Sequence, residues 1–189
     1  MKYNVEFVGV APLLMHSCRG ANPLDPDVKA MKAITGKRKK TDEDHEKLME
    51  MEYKLNAYWN EKLGWHIPSN IIEQCIVNGA KKNKLGKQMI TAIRVEEEAI
   101  ALICDAPKSV DEAFADTTFV DVRNVVVNRA RIMRTRPRFD RWRLNFDVEV
   151  DESIVNETDF LTALNYAGSL VGICDYRPKY GRFEVKVVR

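Results

Sequence analysis

The sequence contains few cysteines, and none of them lie close together. Cys18, Cys75, Cys104 and Cys174 are separated by long stretches of chain. This spacing excludes the close cysteine pairs of a zinc knuckle and argues against the disulfide framework of a small secreted domain. We therefore expect free thiols, most of them buried.

Long apolar runs are also missing. Residues 1–10 alternate apolar and polar side chains, unlike the uninterrupted apolar segment of a signal peptide. No stretch approaches the roughly 20 apolar residues that a helix needs to cross a bilayer. With 189 residues, 45% of them hydrophobic and 31% charged, the chain is long enough to bury one substantial core. The sequence therefore predicts a cytoplasmic protein that does not enter a membrane.

The signatures of several common catalytic sites are absent. The sequence has no phosphate-cradling glycine loop, serine nucleophile elbow or paired-carboxylate motif. His16 is a candidate general base for RNA cleavage without a metal, in which Arg19 would steady the phosphorane that forms. A single histidine after a strand is also typical of a structural role. His16 and Cys18 offer two metal ligands, but nothing completes a tetrahedral zinc site. We assign no catalytic residue, metal or cofactor, and we favour a non-enzymatic protein.

Acidic residues are nearly absent between Arg123 and Arg143. This segment contains eight arginines and one acid, Asp140, which gives it a formal charge of +7 and leaves −5 for the rest of a chain that totals +2. The planar, permanently charged guanidinium group matches phosphate oxygens, so the segregation of charge indicates a nucleic-acid backbone as ligand. A hairpin that uses arginine only for solubility is the alternative.

A second basic segment lies near the end of the chain. Residues 177–182 combine three cations with Tyr180, which could stack on a base, and Gly181, which permits close backbone approach. A basic turn without a ligand is the alternative. Lysines also crowd the end of a predicted helix near residue 80. The predicted nucleic-acid-binding residues are Arg123, Arg129, Arg131, Arg134, Arg136, Arg138, Arg141, Arg143, Arg177, Lys179, Tyr180, Arg182, Lys81 and Lys82.

Strand and helix periodicities predict an α+β fold. Alternation is clearest from Trp142 to Val150, where it places the Trp142 side chain in the core and the Arg141 and Arg143 side chains outside. Thr41 and Asp44 form a capping-box pattern before a helix of about 42–60, whereas residues 17–40 are predicted to form a loop. A last helix is expected from Asn156 or Thr158 to Gly172.

The order of these elements matches the βαββαβ pattern of a ferredoxin-like or RRM-like antiparallel sheet. We predict a single RRM-like domain, 1–189, with an insertion at about 17–60 and a projecting Arg-rich hairpin at about 123–138. RRM domains carry a pair of aromatic residues on the exposed face of their central strands. This pair is missing here, because the strand alternation places most aromatic side chains on the core side of the sheet. Backbone tracking is therefore favoured over base reading.

Three short motifs add a family resemblance. They are Pro12–His16 after the first strand, Ile67–Ile72 at the start of the first core helix and Gly168–Gly181 before the last strand. Together they resemble the RAMP superfamily, the RRM-like backbone and processing subunits of CRISPR ribonucleoproteins. The helix motif departs from the family pattern Ile-Pro-Gly-Ser-Ser-Leu-Lys-Gly, because Ser69, Glu73 and Gln74 replace the first glycine, the lysine and the second glycine.

The RAMP resemblance implies that the hairpin at 123–138 is a thumb laid across the bound strand. It also implies polymerisation along nucleic acid, and hence a homo-oligomer. The segments Asp121–Phe146 and Gly172–Phe183 resemble small proteins of bacteriophage and prophage genomes, which implies a bacterial host cell.

These observations predict a non-enzymatic protein that binds single-stranded RNA or DNA and tracks the phosphate backbone as a multimer. Two alternatives remain open. One is a RAMP-type, metal-independent endoribonuclease that uses His16. The other is a phage adaptor whose partner is a phage or host protein, such as a defence or recombination factor.

Overall fold

A computed structural model describes residues 1–127 and 129–188 of the chain. Within these residues the architecture is α+β, with mostly antiparallel sheets. The chain divides into two compact units. The first unit contains residues 1–13, 59–105 and 139–188, and the second contains residues 14–58, 106–127 and 129–138. The second unit overlaps the insertions predicted at about 17–60 and 123–138.

The bounds of the elements are as follows. The strands are β1 (Lys2–Gly9), β2 (Leu13–Leu14), β3 (Trp59–Asn60), β4 (Gly64–Pro68), β5 (Ile93–Val95), β6 (Ala99–Ala101), β7 (Ile103–Cys104), β8 (Val120–Val127), β9 (Ala130–Phe139), β10 (Trp142–Val150) and β11 (Phe183–Val188). The α-helices are α1 (Pro26–Thr35), α2 (Asp42–Asn56), α3 (Ser69–Ala80), α4 (Gly86–Ala92), α5 (Val110–Ala115) and α6 (Glu157–Tyr166).

The main sheet of the first unit has the strand order β11-β1-β10-β5, and β7 also pairs with β10. All of these pairings are antiparallel. The predicted phase of β10 is confirmed, because its side chains alternate between buried and exposed from Trp142 onward. Trp142 is 2% exposed, and its indole Nε1 donates a hydrogen bond to the carbonyl oxygen of Ala11 at 2.9 Å.

Helices α3 and α6 pack against each other in the same unit. A Cβ atom at Gly79 would overlap the carbonyl oxygen of Ala163, so the absent side chain lets the two helix backbones touch. Asn156 caps α6 by accepting a hydrogen bond from the Asp159 N–H at 2.9 Å, which confirms one of the two predicted starts. Beyond α6 a π-helical turn continues to residue 171, and Gly172 follows with φ 77°.

The closing loop of the first unit is held by backbone hydrogen bonds. The Ile173 N–H donates to the Gly181 carbonyl at 2.8 Å, and the Gly181 N–H donates to the Pro12 carbonyl at 2.7 Å. Gly181 has φ 68°, and a Cβ atom there would overlap the Ile173 carbonyl oxygen. Glycine is required at this position for both reasons, and the loop between these residues is thereby fixed at both ends.

The second unit contains a three-stranded sheet of order β2-β9-β8. Strands β8 and β9 form an antiparallel hairpin in which Val120 pairs with Pro137 and Val126 pairs with Arg131. The capping box before α2 is confirmed, because the Thr41 side chain bonds to the Asp44 N–H and the Asp44 side chain bonds to the Thr41 N–H. The helix ends at Asn56, short of the predicted residue 60.

The sequence prediction missed helix α1, which lies inside the segment expected to be a loop. The side chain of Asp25 caps it by accepting a hydrogen bond from the Asp27 N–H at 2.9 Å. Pro26 occupies the first turn, where its missing N–H has no intrahelical acceptor to lose. The prediction took this proline as a chain breaker, whereas here it starts a helix whose Val28 and Ile34 side chains are buried.

Candidate nucleic-acid interface

Strand geometry divides the arginines of the hairpin between two faces. Residues that pair directly across antiparallel strands project to the same side, so Arg123 and Arg134 share a face, as do Asp121 and Arg136. Arg131 lies on the opposite face, because side chains along a strand alternate with a period of two. Arg131 is exposed, as is Arg129 in the turn, where it has φ 67°.

Four of the predicted arginines lie against carboxylates. Arg123 pairs with Asp121, Arg134 Nη1 lies 2.6 Å from Glu52 Oε1, Arg141 Nη2 lies 2.7 Å from Asp105 Oδ2, and Arg143 Nη1 lies 3.6 Å from Glu6 Oε1. The Arg141–Asp105 pair is solvent-exposed, and ion pairs in water contribute little to stability, so a phosphate can compete with Asp105. Arg143 is exposed, whereas its partner Glu6 is half-buried. The pairs of Arg123 and Arg134 are half-buried.

The sequence prediction of one exposed arginine surface needs correction at Arg136. This residue is 4% exposed, so it is buried and does not belong to an open arginine surface. Arg138 is half-buried. Arg129 and Arg131 have no acidic partner among the residues that the structure describes, and they are the hairpin arginines best placed to meet a ligand.

A basic cavity lies in the first unit, where the end of α3 meets the closing loop. Its volume is about 700 Å³, and its lining includes Lys81, Lys82, Tyr176, Arg177 and Pro178. Three of the predicted cations therefore line one cavity, although nearly a hundred residues of chain separate the lysines from Arg177. We call this the α3–loop cavity.

The charge of the α3–loop cavity is mostly uncompensated. Lys81 Nζ donates a hydrogen bond to Asn78 Oδ1 at 2.8 Å, which is a neutral partner. Within the described part of the chain, neither Lys82 nor Arg177 has a carboxylate within ion-pair distance. Asp175 is the acid among the lining residues. Three cations and one acid leave this surface positive, which favours a bound anion.

Two aromatic residues stand beside these cations. Tyr176 is 40% exposed and lines the cavity. Its ring meets that of Tyr180 edge-on, with centroids 5.6 Å apart, and Lys179 Nζ lies 5.8 Å from the Tyr180 ring centroid. The sequence prediction chose Tyr180 for stacking and missed Tyr176. The loop contains two tyrosines four residues apart, and sequence alone does not show which of them lines a cavity.

A buried cysteine lies beneath the same loop. Cys75 Sγ is 3.3 Å from the Gly172 carbonyl oxygen, to which its thiol donates a hydrogen bond. Burial raises the pKa of the Cys75 thiol to about 12, although the nearby Arg177 lowers it slightly. The thiol is therefore neutral at physiological pH and does not offset the positive charge of the α3–loop cavity.

The second unit contains a separate cavity, with a volume of about 610 Å³, lined in part by His16, Lys32, Glu52 and Arg134. We call it the His16 cavity. In the endoribonuclease alternative, Arg19 would steady a phosphorane beside His16. Its Nη2 atom lies 3.1 Å from Asp25 and 2.9 Å from Asp27, so these two acids hold its guanidinium group. Arg134 is the arginine that lines the cavity with His16.

No protein-family model matches the chain, and a search of curated proteins finds no match either. Among residues 1–127 and 129–188, no group of three or more His, Cys, Asp or Glu side chains is placed to hold a metal ion. The helices of this part of the chain are too short or too polar to cross a bilayer.

Proposed function

We propose that the protein binds single-stranded RNA or DNA through the phosphate backbone and has no enzymatic activity. The observation that carries the proposal is the α3–loop cavity, where Lys81, Lys82 and Arg177 lie beside the exposed Tyr176. Cations hold phosphates without reading sequence, and an aromatic ring stacks on any base. Arg129 and Arg131 of the hairpin supply further phosphate contacts.

The chemistry of these residues fits a single strand better than a duplex. Stacking on an exposed tyrosine requires an unpaired base, and each base–aromatic stack contributes about 1–3 kcal/mol. Lysine supplies a point charge and arginine a planar fork, and both bind phosphate oxygens. A strand that passes the cavity can place successive phosphates at the three cations while one of its bases lies on Tyr176.

We also propose that the first unit has a ferredoxin-like, RRM-like βαββαβ core. The strand order β11-β1-β10-β5 supports it, with α3 between β1 and β5 in the chain and α6 between β10 and β11. The motifs that resemble the RAMP superfamily favour the same core. We extend the proposal to a homo-oligomer that covers the strand, in a phage-encoded protein of the bacterial cytoplasm.

A salt titration tests the proposal directly. The affinity for a fluorescently labelled, unstructured oligonucleotide is measured by anisotropy at several salt concentrations. Each phosphate neutralised on a single strand contributes about −0.7 to the slope of log K against log salt. The triple variant Lys81→Gln, Lys82→Gln, Arg177→Gln should bind more weakly and with a slope shallower by about 2.

A matched control has the same change in net charge at other exposed sites. Lys47→Gln, Lys62→Gln and Lys87→Gln remove three exposed lysines that do not line the α3–loop cavity. This control should keep most of the wild-type affinity and slope. A flat slope for the wild type, absence of binding at low salt, or equal losses in both triple variants would reject the proposal.

Three further measurements address the alternatives and the assembly. Labelled RNA should stay intact during incubation with the protein, whereas cleavage that His16→Ala abolishes would favour the endoribonuclease. A protein partner that persists in pull-downs after nuclease treatment would favour the adaptor. Electron micrographs should show beads or filaments only after a long single strand is added.

A further inference from the structure

The His16 cavity has features of a binding site that strand binding does not use. It lies entirely within the second unit and is built from the turn after β2, helices α1 and α2, and β9. Its volume of about 610 Å³ falls within the range of pockets that hold small ligands, about 300–1,000 Å³.

Arg134 presents hydrogen-bond donors to this cavity. Its Nη1 atom donates to Glu52 Oε1 at 2.6 Å, and the other oxygen, Glu52 Oε2, accepts from the Thr135 N–H at 2.8 Å. Both carboxylate oxygens of Glu52 are thus engaged by the protein. A guanidinium group has five N–H donors, and among the described residues the others on Arg134 have no acceptor. They are available to an anion.

Two more basic side chains line the same cavity. His16 and Lys32 are both exposed. Neither side chain has a hydrogen bond or ion pair within the part of the chain that the structure describes. Lys32 and Arg134 together outnumber the acid Glu52, so the lining has a net positive charge before His16 is counted.

The rest of the lining combines the polar residues Ser17, Thr35 and Asn56 with a wall of apolar and aromatic side chains. Val28 is 7% exposed and Leu55 is 4% exposed, and Met31 and Tyr58 extend this wall. Tyr58 is held in place because its hydroxyl donates to the His16 carbonyl at 3.1 Å. Pockets that combine an apolar wall with a few convergent polar groups hold organic molecules rather than bare ions.

We infer that the His16 cavity binds a small organic phosphate with an aromatic body, such as a mononucleotide. A phosphate monoester carries a charge of about −1.5 to −2 and three acceptor oxygens, which suits three basic side chains better than a carboxylate does. The aromatic body lies against Met31 and Leu55. This inference is independent of strand binding, because its ligand is a small molecule and its cavity is lined by none of the residues that the proposed function assigns to the strand.

Calorimetric titration of the full-length protein with AMP tests the inference. Adenosine and inorganic phosphate serve as comparison ligands that lack the phosphate or the aromatic body. We expect saturable AMP binding at least tenfold tighter than the binding of either comparison ligand. Absence of saturable AMP binding, or affinity no higher than that of inorganic phosphate or adenosine, would overturn the inference.

Variants locate the site. Lys32→Gln should weaken AMP binding at least fivefold, and Met31→Trp should weaken it further by filling the cavity. Lys29→Gln changes the same charge on the same helix, and Lys29 is exposed and does not line the cavity. This control should leave the AMP affinity unchanged. Circular dichroism checks that each variant folds.

The triple variant of the α3–loop cavity separates this inference from the proposed function. We expect Lys81→Gln, Lys82→Gln, Arg177→Gln to keep its AMP affinity and Lys32→Gln to keep its oligonucleotide affinity. If AMP binding is lost in the triple variant and retained in Lys32→Gln, the small ligand binds in the first unit and the inference is wrong.

Discussion

The carboxylate of Glu52 accepts a hydrogen bond from the backbone N–H of Thr135 at 2.8 Å. One turn further along α2, Asn56 Nδ2 donates to the carbonyl oxygen of the same residue at 3.0 Å. Two helix side chains thus satisfy both backbone groups of one strand residue, as a neighbouring strand would do. Strand β2 pairs with β9 just beyond, where the Met15 N–H bonds to the Pro137 carbonyl at 3.0 Å.

Loss of the Asn56 amide should destabilise the second unit. Asn56→Ala leaves the buried Thr135 carbonyl without its donor, and an unsatisfied buried polar group costs about 1–3 kcal/mol. Urea denaturation followed by circular dichroism measures the loss. Asn165→Ala removes an exposed asparagine from α6 and should leave the free energy of unfolding unchanged. An Asn56→Ala variant as stable as the wild type would show that this hydrogen bond contributes nothing.

Trp142→Ala should destabilise the first unit strongly. The indole is 2% exposed, and truncation of a fully buried aromatic side chain to alanine typically costs about 3–5 kcal/mol. Arg141→Ala is the neighbouring control, because the Arg141 side chain is 86% exposed. We expect a change within about 0.5 kcal/mol there. Thermal unfolding compares the two variants, and similar melting temperatures would contradict the core position of Trp142.

The N-terminus of α2 should lose stability in acid. A hydrogen bond from Lys37 Nζ, at 2.6 Å, and the Thr41 backbone N–H hold the pKa of Asp44 below its ordinary value of 3.8. A carboxylate with a lowered folded-state pKa stabilises the fold above its unfolded pKa. This contribution disappears as the pH falls from about 3.8 through the lower folded value.

The variant Asp44→Asn isolates this effect. The difference in unfolding free energy between wild type and variant should be largest near pH 7 and should shrink below pH 4. Urea denaturation at several pH values measures both proteins, and a difference that grows in acid would have the wrong sign for this explanation.

Tyr176 should contribute to strand binding through its ring rather than its hydroxyl. Tyr176→Ala should lower the affinity for single strands about 5- to 150-fold, which corresponds to one stacked base at about 1–3 kcal/mol. Tyr176→Phe keeps a stacking surface and should bind nearly as the wild type does. Anisotropy titrations at fixed salt give the comparison. An equal loss in the alanine and phenylalanine variants would exclude stacking at this residue.

The exposed hairpin arginines should bind strands without reading bases. The double variant Arg129→Gln, Arg131→Gln should weaken binding to poly-pyrimidine and poly-purine strands equally, and reduce the salt slope by about 1.4. Lys47→Gln, Lys62→Gln removes two other exposed cations as a control. Loss confined to one base composition would indicate base recognition instead.

Much of the fold can be predicted from local patterns. The alternation from Trp142 to Val150 predicts both β10 and the burial of its aromatic residues, because a strand with one buried face must alternate. The capping box before α2 is equally local. Helix α1 escaped prediction because Pro26 reads as a breaker unless the Asp25 cap is recognised beside it.

The candidate site is predictable in composition and not in arrangement. The sequence identifies Lys81, Lys82 and Arg177 as cations, yet their convergence on one cavity depends on how α3 and the closing loop pack. Arg136 was predicted to lie on an exposed surface, as arginines usually do, but it is buried. Its burial depends on what covers one face of the hairpin, which the strand period does not reveal.

The amino-acid sequence by itself determined the periodicities, the helix caps, the segregation of positive charge and the residue types able to bind phosphate, since these depend on neighbours within a few positions. The tertiary structure decided which arginines face carboxylates, which tyrosine lines a cavity and which cations meet. Those outcomes depend on contacts between residues far apart in the chain, and such contacts form only when the whole backbone packs.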